Sequence, residues 1–378
     1  MKTQINSGLR VICIFACLLT AVSSAMAQAY EPFNYSPGTA PGNGGTGWAG
    51  PWTANGSKVV APGLTFTGLT TSGNALGGTP GSAATRQLQT PVVGAAGTSV
   101  VLQALIKSPV PGTPATQATL GNNPGGMGNT FIIGDLPQPD ANANKWGMQN
   151  DCGRFYSNKL VVANQTAYLV AQIDFNVSGA NDRMRLWVQT TGPAVPYYTL
   201  PPDVDVMCNV NTFGGVFWQT QQGQVVDEIR VGAPPKGMTW IHHTSNATYG
   251  TITVGCGSSG PNPCDAGHGD TQCAELRPVL CIYKPPTPFQ LPLGLPNSDQ
   301  YNRWSGGVVA TTQPHVGMNS TAATAYCVAQ FGPGWRIAEF HDGWGWNFQA
   351  YGGTVSAPTI PSTRFWVYIN DQPGANCP

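Results

Sequence analysis

The sequence predicts a mainly β protein, with an antiparallel sandwich in its first half and a smaller disulfide-rich α+β domain in its second. Charged residues make up 9% of the 378 residues, whereas ordinary soluble domains contain about 25%. Long solvent-facing helices are disfavoured, because they rely on Glu, Lys and Arg for helix propensity and ion pairing. The hydrophobic content of 41% is nevertheless enough for a folded core.

The balance of charges limits the expected partners. With 17 basic and 17 acidic residues, the net charge is zero, so the protein has no long-range field that attracts phosphate groups. We therefore expect no nucleic-acid partner. The length of 378 residues suits about two domains.

Residues 1–27 are predicted to be a secretory signal peptide. A charged start with Lys2 and Arg10 precedes an apolar run, and the sequence AMA at 25–27 offers a cleavage site. No later segment is apolar over the ~20 residues that a membrane helix needs. We expect a mature protein without a membrane span that is secreted, with an extracellular, cell-surface or periplasmic location.

Residues 28–233 are predicted to form the sandwich, because short strand-like runs recur there between Gly, Pro and Asn clusters. Met184, Leu186 and Val188 alternate along one run, so they should face the core, while the intervening residues face solvent or a covering loop. The predicted strands are Leu64–Leu69, Val100–Lys107, Thr130–Ile133, Leu160–Ala163, Ala167–Phe175, Met184–Gln189, Val216–Gln219 and Val225–Val231.

Several segments of this half occur in a distinctive order. They read EPFNYSPGTAPGNGGTGWAGPW, GLTTSGNA, TAYLVAQIDF with NDRMRLWV, and VVDEIRVG, and they span about residues 31–232. In sequence and spacing they resemble the concanavalin A-like (laminin-G-like) jelly-roll domains of secreted bacterial proteins. The resemblance implies a two-sheet antiparallel jelly-roll sandwich that binds glycans on a sheet face or on rim loops, in some members with calcium.

The acidic residues argue against an enzyme. Glucanases of that superfamily carry acidic residues that alternate along one strand, in a pattern similar to E-x-D-x-x-E, and this sequence has no such string. The neighbours Asp227 and Glu228 should point to opposite faces of their strand. The G-x-S-x-G pattern of serine hydrolases is also missing. We predict no catalytic residues.

Calcium is the one cofactor left open, and Asp174, Asp182 and Asp227 are the candidate ligands. Calcium takes 6–8 oxygen ligands, several of them usually carboxylates. The alternative is that these side chains cap turns and form hydrogen bonds at strand ends.

A polar stretch, KWGMQNDCGRFY, contains the candidate ligand-binding residues of the first half, Trp146 and Tyr156, around Cys152. We interpret it as a loop at the sandwich rim, where binding sites are common. If Cys152 pairs with Cys208, closing that loop stabilises the fold by roughly 4 kcal/mol.

The predicted second domain, residues 234–378, begins at a Pro-Pro pair and is rich in cysteine. Six cysteines allow 15 disulfide connectivities, and the sequence does not choose among them. The first four lie at intervals of 8, 9 and 8 near three histidines, which raises zinc as an alternative, but zinc knuckles use closer C-x(2–4)-C pairs. The cysteines are Cys256, Cys264, Cys273, Cys281, Cys327 and Cys377.

One helix is predicted near 321–331, between a capping Asn319 or Ser320 and Gly332. Cys327 lies on its apolar stripe and should be bonded inside the domain. With the later strings GWRIAEF and FWVYIND, this helix resembles the C-type lectin-like fold. The portion that carries that family's calcium and sugar ligands has no counterpart here, so the resemblance implies no binding residue.

Trp344 and Trp346 are the candidate ligand-binding residues of the second half. The favoured expectation is that both rings are buried under the cysteine-rich segment. The alternative is that exposed indole faces at these alternating positions form a platform for sugar stacking. Just before them, Glu339, His341 and Asp342 could act as a general base or metal site, or form a structural turn.

Three functions remain open from the sequence. The favoured one is a secreted, non-catalytic glycan-binding or adhesive protein whose partner is a polysaccharide or glycoconjugate. The second is a self-associating structural component of the cell surface or extracellular matrix, which low charge and disulfides would also suit. The third is a polysaccharide hydrolase.

Overall fold

The structure is a computed structural model, and it describes 28–111, 116–121, 130–136, 144–178, 181–210, 213–219, 223–256, 264–295, 303–352 and 364–378. The predicted signal peptide, residues 1–27, lies outside the described residues. None of the helices in the described ranges is long and apolar enough to cross a membrane.

The predicted mainly β fold is confirmed. The first half contains β1 (Ala29–Glu31), β2 (Thr53–Val60), β3 (Ala75–Val92), β4 (Ser99–Lys107), β5 (Thr116–Gly121), β6 (Thr130–Asp135), β7 (Lys145–Asn150), β8 (Gly153–Leu160), β9 (Thr166–Ser178), β10 (Asn181–Gln189), β11 (Val204–Cys208), β12 (Phe213–Gln219) and β13 (Val225–Gly232). The second half contains β14 (Lys236–Gly237), β15 (Thr239–Asn246), β16 (Thr251–Gly255), β17 (Thr271–Gln272), β18 (Leu280–Tyr283), β19 (Arg303–Thr311), α1 (Ser320–Phe331), β20 (Trp335–Ile337), β21 (Asn347–Tyr351) and β22 (Phe365–Trp366).

The first thirteen strands form the antiparallel sandwich. Their order is β11-β10-β9-β4-β13-β3-β12-β5-β6-β7-β8, with β1 paired to β13 and β2 paired to β3. The 18-residue strand β3 pairs with β13 near its start and with β12 further on, so it belongs to both layers. Leu102, Leu169 and Leu186 contribute to the core from one layer, and Phe131 and Met148 contribute from the other.

Six of the eight predicted strands are confirmed, and two are wrong. Leu64–Leu69 is irregular, because Leu64 and Phe66 cover the outer face of the sheet instead of extending it. In the predicted strand Leu160–Ala163, β8 ends at its first residue. Val161 then bonds to Asn144 through its backbone N–H and packs into the core.

The second half forms a seven-stranded sheet in the order β20-β18-β19-β21-β16-β15-β22, and a two-stranded sheet of β14 and β17. The predicted helix is confirmed as α1. The Asn319 side chain caps it by accepting a hydrogen bond from the backbone N–H of Ala322, 2.9 Å away. Ala323 and Cys327 are its buried residues, so Cys327 faces inward as expected.

All eight cysteines that follow the predicted signal peptide form disulfides, in agreement with the prediction. Cys152 bonds Cys208 across the sandwich. In the second half, the structure selects one of the 15 connectivities. Its pairs are Cys256–Cys264, Cys273–Cys377 and Cys281–Cys327.

The two halves share an apolar cluster. The outer face of the β4-β9-β10 layer contributes Leu105, Tyr168 and Trp187, and the second half contributes Trp366 and the Cys273–Cys377 disulfide. Polar contacts border the cluster: the Tyr198 hydroxyl donates to the Pro378 carbonyl over 2.9 Å, and the Gln272 side chain donates to Ser99 Oγ over 3.2 Å. The second half is therefore packed directly on the sandwich.

Candidate functional site

Trp344 and Trp346, here called the aromatic platform, lie at the surface of the second half. The Trp344 side chain is 76% exposed, and that of Trp346 is 40% exposed. The expected burial of these two residues under the cysteine-rich segment is therefore wrong. Burial of a large apolar side chain contributes about 1.5–3 kcal/mol, and most of this contribution is still available to a ligand that covers these rings.

The platform follows a single turn of 3-10 helix, Phe340–Gly343. The Glu339 side chain caps this turn, accepting from the backbone N–H of His341 over 2.8 Å. A Cβ at Gly343 would lie 2.1 Å from that of Phe348, so only glycine fits there. Trp344 then adopts a left-handed backbone conformation with φ 73°, which directs the chain out of the turn.

Asp342 anchors the turn from inside. Its side chain is 3% exposed and forms ion pairs with Arg336 and with Lys284, the latter at 2.9 Å. It also accepts from the backbone N–H of Glu339 over 2.8 Å. Burial alone would raise the pKa of Asp342, but the hydrogen bonds and charge of Arg336 outweigh it and hold the pKa below its usual value. The Glu339, His341 and Asp342 group is thus a structural turn, the alternative named above.

Polar groups lie in the turn that precedes the platform and over its first ring. His341 Nδ1 lies 2.8 Å from Glu339 Oε1, and His341 Nε2 lies 3.7 Å from Asp371 Oδ2. The Arg303 guanidinium lies over the Trp344 ring, 5.5 Å from its centroid. Hydrogen-bonding side chains beside an exposed indole are the combination that recognises a sugar, whose hydroxyls need partners and whose C–H face needs an apolar surface.

The second indole is held more firmly. The Trp346 ring packs edge to face on Phe340, with centroids 5.3 Å apart. Its backbone carbonyl accepts from the N–H of Cys256 over 2.8 Å, next to the Cys256–Cys264 disulfide. The platform therefore has one largely exposed ring, Trp344, beside Arg303, and one ring, Trp346, that is held against Phe340.

No protein-family model matches the chain, and no curated protein sequence matches it. Among solved structures, the chain is similar to the carbohydrate recognition domain of Emp46p, with 7% identity, a TM-score of 0.31 and coverage of 48% of this chain and 87% of that one. It is also similar to the VIP36 exoplasmic/lumenal domain bound to Ca²⁺ and Man3GlcNAc, with 8% identity, a TM-score of 0.30 and coverage of 48% and 85%.

A third similar structure is domain 4 of AbnA, an extracellular arabinanase from Geobacillus stearothermophilus, in complex with arabinotriose. Its identity is 14%, its TM-score is 0.29, and the match covers 49% of this chain and 84% of that one. The structural neighbours thus include lectin-type carbohydrate recognition domains. At such low TM-scores these likenesses do not establish a shared function.

The candidate residues of the first half lie in a β-hairpin, so the prediction of a rim loop was wrong. β7 and β8 pair directly, with Asn150 opposite Gly153. Trp146 is 1% exposed and belongs to the sandwich core, which leaves no indole face for a ligand and corrects its assignment as a binding residue. Tyr156 is half-buried on β8 opposite Gly147, and its role in binding stays a prediction.

The three calcium candidates do not converge. Asp174 pairs with Arg185 and accepts from Ser99 Oγ, and Asp182 accepts from the backbone N–H groups of Asn176 and Val210. Across the described residues, no group of three His, Cys, Asp or Glu side chains could hold a metal ion. Calcium binding remains a prediction, and these carboxylates already have protein partners.

Asp227, the third candidate, is fully buried. Its two oxygens accept from the backbone N–H groups of Leu64 and Glu228, both over 2.8 Å. Burial raises the pKa of Asp227 to about 8, and the nearby charges of Glu228 and Glu31 act in the same direction. Such a carboxyl group stabilises the covering segment near Leu64 and is not accessible to a ligand.

The two glutamates of the sandwich, Glu31 and Glu228, also have hydrogen-bond and ion-pair partners. Glu31 pairs with Arg86 and accepts from Trp52 Nε1 over 2.7 Å. Glu228 accepts from the Tyr30 hydroxyl over 2.7 Å and pairs with Arg230 at 2.8 Å. Both side chains are at most 2% exposed. These contacts give each of the two carboxylates a structural role.

Trp344 and Trp346 were candidates from the sequence, but the charged residues Arg303 and Asp371 were not. Arg303 lies at the start of β19, and Asp371 follows β22. They are respectively about 40 positions before and about 30 positions after Trp344 in the chain, and only the sheet brings them together. A run of aromatic residues could point to the platform, but no local pattern could have revealed these two charged residues.

Proposed function

We propose that this protein is a secreted, non-catalytic carbohydrate-binding protein, and that the aromatic platform holds the sugar. The observation that carries the proposal is the 76% exposure of Trp344 on a turn that is held by the buried Asp342 carboxylate and its ion pair with Arg336. An exposed indole on a mobile loop would lose entropy on binding, whereas this one is already positioned.

The polar surroundings support a carbohydrate over a purely apolar ligand. The Arg303 guanidinium lies over the Trp344 ring, and His341, three positions earlier in the chain, lies near Asp371. The four disulfides are typical of proteins that fold in an oxidising compartment, where secreted carbohydrate-binding proteins act. The absence of catalysis is supported by the hydrogen bonds that engage Glu31, Glu228 and Glu339.

The test incubates the oxidised protein with insoluble and soluble neutral polysaccharides, and it records both retained protein and released sugar. We expect retention without release. Trp344→Ala should weaken retention about tenfold, because stacking on an aromatic ring is worth roughly 0.5–1.5 kcal/mol beyond the buried area. Trp346→Ala should have a smaller effect, since part of its ring already packs on Phe340.

The matched control is Leu276→Ala, which removes another apolar side chain that is 67% exposed. It should leave retention unchanged. Equal losses for Leu276→Ala and Trp344→Ala would reject the platform as the site, and release of sugar would reject the non-catalytic assignment. Repeating the experiment with a chelator tests whether binding requires calcium. A loss of retention would favour Asp174 and Asp182 as calcium ligands.

A further inference from the structure

A cleft lies on the surface of the sandwich, and its residues are far along the chain from the platform. Four neighbouring strands place Lys58, Gly77, Val225 and Lys107 in one row, because Lys58 pairs with Gly77, Gly77 with Val225, and Val225 with Lys107. Paired positions on adjacent strands project from the same face of a sheet. Both lysines therefore stand on one face, and their backbones are about 14 Å apart at three strand spacings.

The floor between the lysines is low, and this creates the cleft. Gly77 has no side chain, and a Cβ there would lie 3.2 Å from Val60 Cγ1. The resulting cavity has a volume of about 620 Å³ and is lined by Lys58, Lys107, Gly77, Val60, Val225 and Thr79 among others. Pockets that hold small ligands usually measure about 300–1,000 Å³, so the cleft has room for one or two sugar rings.

Neither lysine has a hydrogen-bond or ion-pair partner within the described part of the chain. By contrast, Arg86, Arg185 and Arg230 in the same half are all paired with carboxylates. Asp227, two positions along β13 from Val225, does not neutralise them, because it is fully buried beneath Leu64. The cleft therefore combines a concave surface with two uncompensated positive charges.

We propose that this cleft binds an anionic carbohydrate, with Lys58 and Lys107 contacting its carboxylate or sulfate groups. Two separated ammonium groups suit a ligand that carries charges at intervals better than a single small anion. Among the described residues that line the cavity, none is aromatic, which disfavours a nucleobase, and a zero net charge disfavours a nucleic-acid strand. The choice of carbohydrate as the ligand class rests on the proposed function, but the site and its charge do not.

The experiment measures affinity by calorimetry for polygalacturonate, for dextran sulfate and for neutral dextran, at low and high salt. The wild-type protein should bind at least one polyanion more tightly than dextran, and this preference should shrink as salt rises. Binding of polygalacturonate alone assigns carboxylates as the recognised group, and binding of dextran sulfate alone assigns sulfates. Replacing both lysines, Lys58→Gln with Lys107→Gln, should weaken polyanion binding about tenfold or more, because the charge-assisted hydrogen bonds of both ammonium groups are lost.

The matched control is Lys159→Gln with Lys236→Gln, which removes the same charge from two exposed positions outside the cleft. It should change the affinity by less than about twofold, because isolated surface charges contribute little. Equal weakening by the control pair, or no preference of the wild-type protein for either polyanion, would overturn the proposal. Trp344→Ala should bind polyanions normally, so a failure of the platform and a failure of the cleft give different results.

Discussion

Asp227 in the sandwich and Asp342 in the second half are both buried carboxyl groups, yet their surroundings differ. Asp342 faces the guanidinium of Arg336 and the ammonium of Lys284, and its pKa lies below the usual value. Asp227 accepts only backbone N–H groups, and burial raises its pKa to about 8. Burial therefore favours the neutral acid unless a cation lies within ion-pair distance of it.

The largest expected effect comes from removing the cation from Asp342. Arg336→Met leaves that carboxylate buried with only Lys284 as a charged partner, and the free energy of unfolding should fall by about 3 kcal/mol. The same variant should reduce glycan retention, because Asp342 anchors the turn that carries Trp344. Denaturant unfolding and the retention assay check both effects. If stability were unchanged, the ion pair would not be what holds the turn.

A smaller effect is expected at Asp227. In Asp227→Asn the amide nitrogen cannot accept a hydrogen bond, so one of the two backbone N–H groups that now bond to the carboxyl loses its partner. Unfolding free energy near pH 5 should fall by about 2 kcal/mol. At pH 9 the loss should be smaller, because the wild-type protein then carries a buried charge that the variant lacks. A loss that grows with pH would contradict the raised pKa.

The two groups should give opposite responses to pH, each at most about 1.4 kcal/mol per pH unit. Asp227 has a folded pKa of about 8. Its contribution to the free energy of unfolding is therefore complete below about pH 4 and is lost as the pH rises through 8. Asp342 has a lowered folded pKa, so its contribution is present above about pH 4 and is lost as the pH falls. Thermal unfolding from pH 3 to 9 measures both responses. Asp227→Asn should remove only the loss of stability at high pH, and Arg336→Met should reduce only the loss of stability at low pH.

The smallest expected effect on stability is that of Trp344→Ala. The ring is 76% exposed and lies beyond the anchored turn, so the free energy of unfolding should change by less than about 0.5 kcal/mol. Trp240→Ala is the matched comparison, because Trp240 is fully buried and should cost about 3–5 kcal/mol. If Trp344→Ala were as destabilising as Trp240→Ala, its exposure in the structure would be in error and the platform would be a core element.

The strands that the sequence predicted well are those with clear alternation of apolar residues. In β10, Met184, Leu186 and Val188 lie in the core, while Trp187 packs on the outer face beneath the second half. By contrast, β3 is rich in Gly, Thr and Ala, and its strand character comes from pairing with β2, β12 and β13. A local pattern does not contain that information, since it depends on partners distant in the chain.

The same distinction explains which residues of the candidate site could be predicted from the sequence. Trp146 was misassigned because the polar residues around it were given more weight than its alternation with Met148, which places both side chains in the core. Trp344 could be located from the sequence because glycines flank it at 343 and 345, and turns expose their residues. The contacts of His341 with Asp371, and of Trp344 with Arg303, depend on the second sheet and could not be predicted locally.

The shared apolar cluster between the two halves has a mechanical consequence. A polysaccharide that is held at the platform and pulled away transmits its load to the sandwich through packed side chains such as Tyr168 and Trp366, and not only through the backbone near Pro234. The contacts of Tyr198 with Pro378 and of Gln272 with Ser99 are loaded at the same time. Contacts loaded side by side share the force, so the two halves resist separation better than domains joined by a single flexible linker.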